Sequence, residues 1–408
     1  MWKPIHHRGE DGALQEKDGL TFKKRADILN FYEFFAGGGM ARCGLGADWT
    51  CLFANDFDHK KAATYKTNWG GDELVIADVG HLESVDLPGS PALAWASFPC
   101  QDLSLAGGGA GLRGERSGTF WPFWKLMEEL RSDERGPKIV VLENVCGTLT
   151  SHGGKDFTTI CKALRGSGYR FGAVVVDAAL FVPHSRPRLF IIAVSESVEV
   201  PEALRTMGPV QPWHPRSVKL AVSQLPKTLA DEWVWWNIPT PKARCASFAD
   251  LLEETPESVK WHSAAETRKL IAMMSEVNRE KLREAKRSGQ KVVGAVYKRT
   301  RRDEAGRKVQ RAEVRFDDVA GCLRTPAGGS SRQTIVIVEG QKVRSRLISS
   351  RETARLMGLP DSYVLPENYN EAYHLTGDGV AVPVVEHLAR HVLEPIMRRV
   401  AEQSREAA

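Results

Sequence analysis

The chain has 408 residues, of which 42% are hydrophobic and 26% charged, with a net charge of +5. That length exceeds one ordinary core and predicts two domains, and the composition is that of a globular protein with no apolar run long enough to span a bilayer. The seven cysteines are scattered without a CxxC pair, which points to a reducing, cytoplasmic setting and argues against a disulfide framework or a structural zinc site.

Residues 1–26 are polar and lack the apolar centre of a secretory signal, so they are read as an extension. The runs "ILNFYEFFAG", "CLFAND", "ELVIAD", "ALAWASF" and "KIVVLENV" predict buried strands. Between them "HKKAATYKTNW", "TFWPFWKLMEELRS" and "FTTICKALRGSG" have helical spacing. This alternation predicts a doubly wound α/β sheet, whose functional residues gather beyond the carboxyl ends of the strands. "FGAVVVDAALF" and "RLFIIAVS", joined by "VPHSRP", predict a closing hairpin.

After about residue 196 the alternation stops, and prolines, tryptophans and charge predict a second, smaller domain of irregular or β-rich structure. The tryptophans of "EWVWWN" are read as core of that domain. Residues 281–311 carry twelve Lys or Arg against three acids. Such a block is either a solvated face or a contact for a polyanion such as nucleic acid. An amphipathic helix, "AVPVVEHLARHVLEPIMRRV", ends the chain.

Three successive strand ends carry Gly37, Gly38 and Gly39, then Asp56, then Asp78. A glycine turn permits close backbone approach, and an acid at the end of the next strand can accept from ribose hydroxyls. The set suggests a nucleoside cofactor; the alternative is turn glycines and helix caps. Cys100, in "FPCQDLS", ends the fourth run before a glycine-rich stretch, as a strand-closing hydrophobe or a nucleophile. Glu143 ends the fifth run, as a helix cap or an acid. Arg186 and Arg188 share a period-two face before a buried strand, where arginines are costly unless they serve an anion or a planar acceptor.

The ordered series "FYEFFAGGG", "FPCQDLS", "ENV", "RPRLF", "RLISSRETARLMGLPDSY" and "GDGVAVPVV" resembles the motif set of the DNA cytosine-5 methyltransferases. The match runs from about 28 to 195 and resumes from about 344 to 390. It implies a Rossmann-like S-adenosylmethionine domain over 27–196, a target recognition domain over 197–343, a return segment over 344–376 and a C-terminal helix, 377–408, rejoining the catalytic domain. It also implies that Phe35 and Gly37 to Gly39 surround S-adenosylmethionine, with Asp56 on the ribose, Phe57 against the adenine, Asp78 on its amino group and Val79 packing nearby. Cys100 would be the nucleophile, Glu143 the acid on the cytosine edge, and Arg188 the partner of the base O2 region with Arg186 beside it. No metal is implied.

The implied substrate is double-stranded DNA with its target base flipped out, and the implied setting is a bacterial monomer, nucleoid-associated, with or without a cognate restriction system. "SLAGGGAGLRGERSG" would form a lid. His184 stands where the family usually has Gln, and Asp378 where it usually has Asn. Three rivals remain: a transfer-RNA methyltransferase, an inactive DNA-binding relative, and a dinucleotide oxidoreductase. The basic insertion, the presence of Cys100, Glu143 and Arg188 together, and the missing GxGxxG fingerprint argue against them in turn.

Overall fold

The computed structural model describes residues 29–99, 117–302, 306–323 and 332–406. Cys100 and nearly all of the glycine-rich stretch read as a lid therefore lie outside the described residues. Each apolar run of the first half forms a strand: β1 (Asn30–Phe34), β2 (Thr50–Asp56), β3 (Leu74–Ile76), β4 (Leu93–Ala96) and β5 (Ile139–Asn144). These five are parallel. β6 (Tyr169–Asp177) and β7 (Pro187–Ser195) complete the sheet as an antiparallel hairpin, giving the order β3-β2-β1-β4-β5-β7-β6. The winding reverses between β1 and β4, the switch point at which ligand crevices form in such sheets.

Helices α1 (Met40–Leu45), α2 (His59–Trp69), α3 (Phe120–Ser132) and α4 (Lys155–Gly166) cross between the strands. In α3 the residues Phe120, Phe123, Trp124, Met127 and Leu130 recur at helical spacing and are buried, which is why the segment folds as an amphipathic helix against the sheet. Phe123 meets Phe34 of β1 edge-on, with ring centroids 5.0 Å apart.

The chain divides into two compact units. Besides the seven-stranded sheet, the larger holds Pro187–Pro241 and Val380–Ala408. Its additions are β8 (Arg205–Thr206) paired with β9 (Trp235–Trp236), and α5 (Arg216–Ser223). The "EWVWWN" tryptophans are core, but of this larger unit: Trp233 and Trp235 pack on its main cluster and Trp236 is fully buried. They go there because Val234 N–H donates to the Phe171 carbonyl of β6, extending that edge.

The smaller unit comprises Ala178–Arg186 and Lys242–Gly379. Its four-stranded antiparallel sheet is formed by β10 (Lys291–Arg302), β11 (Lys308–Arg315), β12 (Thr334–Glu339) and β13 (Lys342–Leu347), in the order β11-β10-β12-β13. Helices α6 (Ala264–Ala272) and α7 (Glu276–Arg287) cover one face through Leu270, Leu282 and Ala285. α8 (Ser350–Leu356) and α9 (Tyr369–Asp378) follow. A fully buried Arg346–Glu352 ion pair joins β13 to α8.

The chain returns to the larger unit through α10 (Val382–Leu388) and α11 (Glu394–Glu406). There α10 lies directly on α1: a Cβ at Gly44 would fall 2.4 Å from the Val385 Cβ and 2.7 Å from the Val382 carbonyl oxygen. No residue larger than glycine permits that approach. No helix of the described residues is long and apolar enough to cross a membrane.

Candidate active site

Because β1 to β5 are parallel and β7 runs against them, the ends of the first five and the start of β7 share one edge of the larger unit's sheet. The described residues singled out as candidates on this unit lie along that edge.

At the end of β1 the chain turns through Phe35, held at φ 57°, into the glycine loop. A bulky residue in the left-handed region is uncommon and strained, a state that persists where the surroundings enforce it. Gly39 closes the turn at φ 75°, as N-cap of α1. Trp69, the last residue of α2, lies behind the loop, and its indole N–H donates to the Gly38 carbonyl at 2.9 Å. Arg42 stacks over the Tyr65 and Trp69 rings, donates to the Tyr65 hydroxyl at 2.8 Å and pairs with Glu73. Buried Glu33 on β1 accepts from the Ala41 N–H at 3.2 Å, and burial pushes its carboxyl up to about 8. None of Glu33, Arg42 and Trp69 stood out in the sequence, since each acts through a tertiary contact on the loop.

Asp56 ends β2 and is nearly buried. Its two oxygens accept from the N–H groups of Gly37 and Asp58, each at 2.8 Å. The same carboxylate thus ties the glycine loop to the start of α2, with further acceptor capacity on each oxygen. Burial raises its pKa against these two hydrogen bonds and the nearby Lys61. Phe57 beside it is 64% exposed, a large aromatic face that the protein itself does not cover. Asp78 at the end of β3 is exposed and accepts from the Gly80 N–H at 2.8 Å, while Val79 is buried. Asn55 laces the ends of β2 and β3 by donating to the Val75 and Ala77 carbonyls.

Further along the edge, Glu143 closes β5 and pairs with the Arg188 Nε at 3.2 Å, both side chains largely buried. The register that sets Asn144 opposite Leu189 brings them together. Asn144 donates to the Phe98 carbonyl at 3.1 Å and accepts from the Val145 N–H and the Thr148 hydroxyl. It fastens the "FP" that precedes Cys100 to the end of β5, a role not assigned to it from the sequence.

Arg186 belongs to the smaller unit and donates to the carbonyls of Gly377 at 2.9 Å and Gly379 at 2.6 Å at the end of α9. His184 is fully buried there. Its Nε2 accepts from the Leu323 N–H and its Nδ1 lies 3.1 Å from the Leu356 carbonyl. That set requires one donor and one acceptor, as a Gln amide also offers. Asp378 is exposed.

A family model described as C-5 cytosine-specific DNA methylase matches residues 29–394. The chain belongs to that family. It is accordingly a DNA (cytosine-5) methyltransferase, and membership implies S-adenosylmethionine as the methyl donor. Among curated relatives, the Type II methyltransferase M.HpaII of Haemophilus parainfluenzae is 26% identical over 389 residues, covering 90% of each chain. M.HhaI of Haemophilus parahaemolyticus is 22% identical, covering 90% of this chain and 95% of the relative. A Spodoptera frugiperda DNMT2 structure superposes with a TM-score of 0.57 at 15% identity, over 90% of this chain and 99% of that one, which speaks to the shared fold.

The edge at β1 to β3 fits a bound nucleoside sulfonium. Gly37 and Gly39 form a cradle at positive φ backed by Trp69, Asp56 keeps acceptor capacity at its rim, and Phe57 presents an uncovered ring.

Proposed function

We propose that this methyltransferase modifies C5 of a cytosine flipped out of a specific double-stranded DNA sequence, using Cys100 as nucleophile. The observation that carries the reading is the buried Glu143–Arg188 pair at the end of β5, joined through Asn144 to the backbone two residues before Cys100. Phe35 and Gly37 to Gly39 would cradle S-adenosylmethionine, with Asp56 on the ribose, Phe57 and Val79 about the adenine and Asp78 on its amino group. When bound, that cofactor supplies an electrophilic methyl group.

Cytosine C5 is a poor nucleophile. Addition of the Cys100 thiolate to C6 makes the ring enamine-like and C5 reactive; after methylation, loss of the C5 proton and expulsion of the thiolate restore the ring. Glu143 holds a proton at N3 as charge develops there, and Arg188 orients that carboxyl while facing the O2 region. Extruding the base costs a few kcal/mol, recovered from contacts with the flipped base and the duplex. Arg186 clamps the end of α9 through the Gly377 and Gly379 carbonyls. The Type II names of the relatives support a place in a restriction–modification system.

The test is covalent capture. Duplex DNA carrying 5-fluorocytosine at the target should trap the wild type, because fluorine cannot leave as a proton does. Cys100→Ser should give neither capture nor methyl transfer while binding S-adenosylmethionine normally. Methyl transfer by the serine variant would overturn the mechanism.

A further inference from the structure

The basic block of residues 281–311 separates into two physically different halves. In α7, Arg283 pairs with Glu276 and Glu280, and Arg287 pairs with Glu280. That half is a solvated helix face whose Arg283 and Arg287 are paired within the helix. The other half lies on the β10–β11 hairpin. Residues 297–313 hold seven Lys or Arg against three acids, so one hairpin carries a net +4 of the whole chain's +5.

β12 pairs with β10 over Lys291–Val296, whereas β11 accompanies β10 to Arg302. Among the described residues, β10 and β11 pair only with each other from Arg299 to Arg302, a ribbon about 13 Å long at ordinary strand rise. Register places Tyr297, Arg299 and Arg301 on one face with Glu313, Arg311 and Val309. On the other face Arg302 stands opposite Lys308, and the root is closed where the Ala312 N–H donates to the Met273 carbonyl. Arg299 opposite Arg311 and Arg302 opposite Lys308 are like-charge cross-strand pairs, which destabilise an isolated ribbon. An external polyanion removes that repulsion.

Glu313 organises the first face. It pairs with Arg299 at 3.2 Å and takes both the Nε and the Nη2 of Arg301, at 3.0 and 2.5 Å. A guanidinium buttressed in this way is pre-organised to present donors in a fixed direction, the requirement for reading a guanine edge. A two-stranded ribbon fits the major groove of B-DNA, about 12 Å wide, and not the minor groove, about 6 Å wide.

We infer that the β10–β11 ribbon enters the major groove of duplex DNA, with Arg299 and Arg301 reading base edges on a Glu313 support while Arg302 and Lys308 meet flanking phosphates. The inference rests on the duplex-DNA reading above and adds the element and the division of roles among its residues.

The experiment measures binding of the full chain to a randomised B-form duplex library and to individual selected duplexes across a salt series, by fluorescence anisotropy. An Arg302→Ala/Lys308→Ala variant should weaken binding to all sequences alike and lower the slope of log affinity against log salt by about 0.9 per lost contact. Arg301→Ala should instead relax preference at one base pair by roughly ten- to hundred-fold. Replacing guanine by 7-deazaguanine at that pair should reproduce the loss with the wild type. Thermal denaturation verifies that these exposed substitutions leave the fold intact. Unchanged slope and unchanged preference would show a ribbon facing water and overturn the inference. A uniform loss for Arg301→Ala, or equal wild-type affinity for A-form RNA duplex, whose deep major groove excludes such an element, would overturn groove entry. Covalent capture of 5-fluorocytosine DNA by the wild type tests the catalytic reading separately, so the two failures are distinguishable.

Discussion

Gly39 is the position where sequence, backbone and packing can be separated most cleanly. Gly39→Ala meets two penalties. At φ 75° an L-residue with a Cβ costs about 1–2 kcal/mol. The added Cβ would also lie 2.4 Å from Trp69 Nε1, 2.8 Å from its Cδ1 and 3.0 Å from the Tyr65 ring. Trp69 must move, and its hydrogen bond to the Gly38 carbonyl, worth about 0.5–1.5 kcal/mol, is lost. The total is about 1.5–3.5 kcal/mol. Gly46→Ala is the internal control, because Gly46 has φ 82° but nothing within 4 Å of its Cβ. It should show the backbone cost alone. Denaturant unfolding measures both. If the native loop becomes about 2 kcal/mol less favourable than a relaxed form, S-adenosylmethionine binds a competent state populated about thirty-fold less, and its Kd by calorimetry rises by that factor. Gly46→Ala should leave that Kd unchanged. Equal effects of the two substitutions on stability and on Kd would refute the claim that Trp69 shapes the cofactor loop.

Glu33 gives a pH signature. Its folded carboxyl titrates near 8 because it is buried, well above the ordinary value of about 4.3, so its contribution to stability is full below that ordinary value and is lost as pH rises toward 8. Melting temperature should therefore fall across that window, and Glu33→Gln, which keeps an acceptor for the Ala41 N–H, should flatten the decline. Arg346→Met strands the fully buried Glu352 carboxylate and should cost about 3–5 kcal/mol by urea denaturation, with S-adenosylmethionine binding by the folded protein retained. Asp56→Ala removes the acceptor shared by Gly37 and Asp58 and should weaken cofactor binding at least about ten-fold by calorimetry, since a hydrogen bond to a charged group is worth about 1.5–3 kcal/mol.

The parallel sheet was legible because strands buried on both faces read as unbroken apolar runs, and β5, "IVVLEN", is buried throughout. The acids and glycines of the edge were legible because they sit where those runs stop. The unit boundary between Arg186 and Arg188 was not legible, since period-two counting presumes a continuous strand; the chain leaves the larger unit after Asp177 and re-enters it at Pro187, so the two arginines belong to different units. Asn144, Trp69 and Glu33 were missed because their significance lies in a partner far along the chain. The acids that pair with Arg283 and Arg287 of α7 precede the window in which the basic residues were counted; the i,i+3 and i,i+7 spacings from Glu276 and Glu280 would have exposed them.

The contact between α1 and α10 bears on how the protein is made. Gly44 of α1 is covered by Val382 and Val385, which are synthesised more than three hundred residues later. A nascent chain that already carries the glycine loop, the whole seven-stranded sheet and the smaller unit still shows that face of α1 to solvent until α10 has emerged. Termination before residue 382 therefore yields a product in which the helix behind the glycine loop lacks its cover.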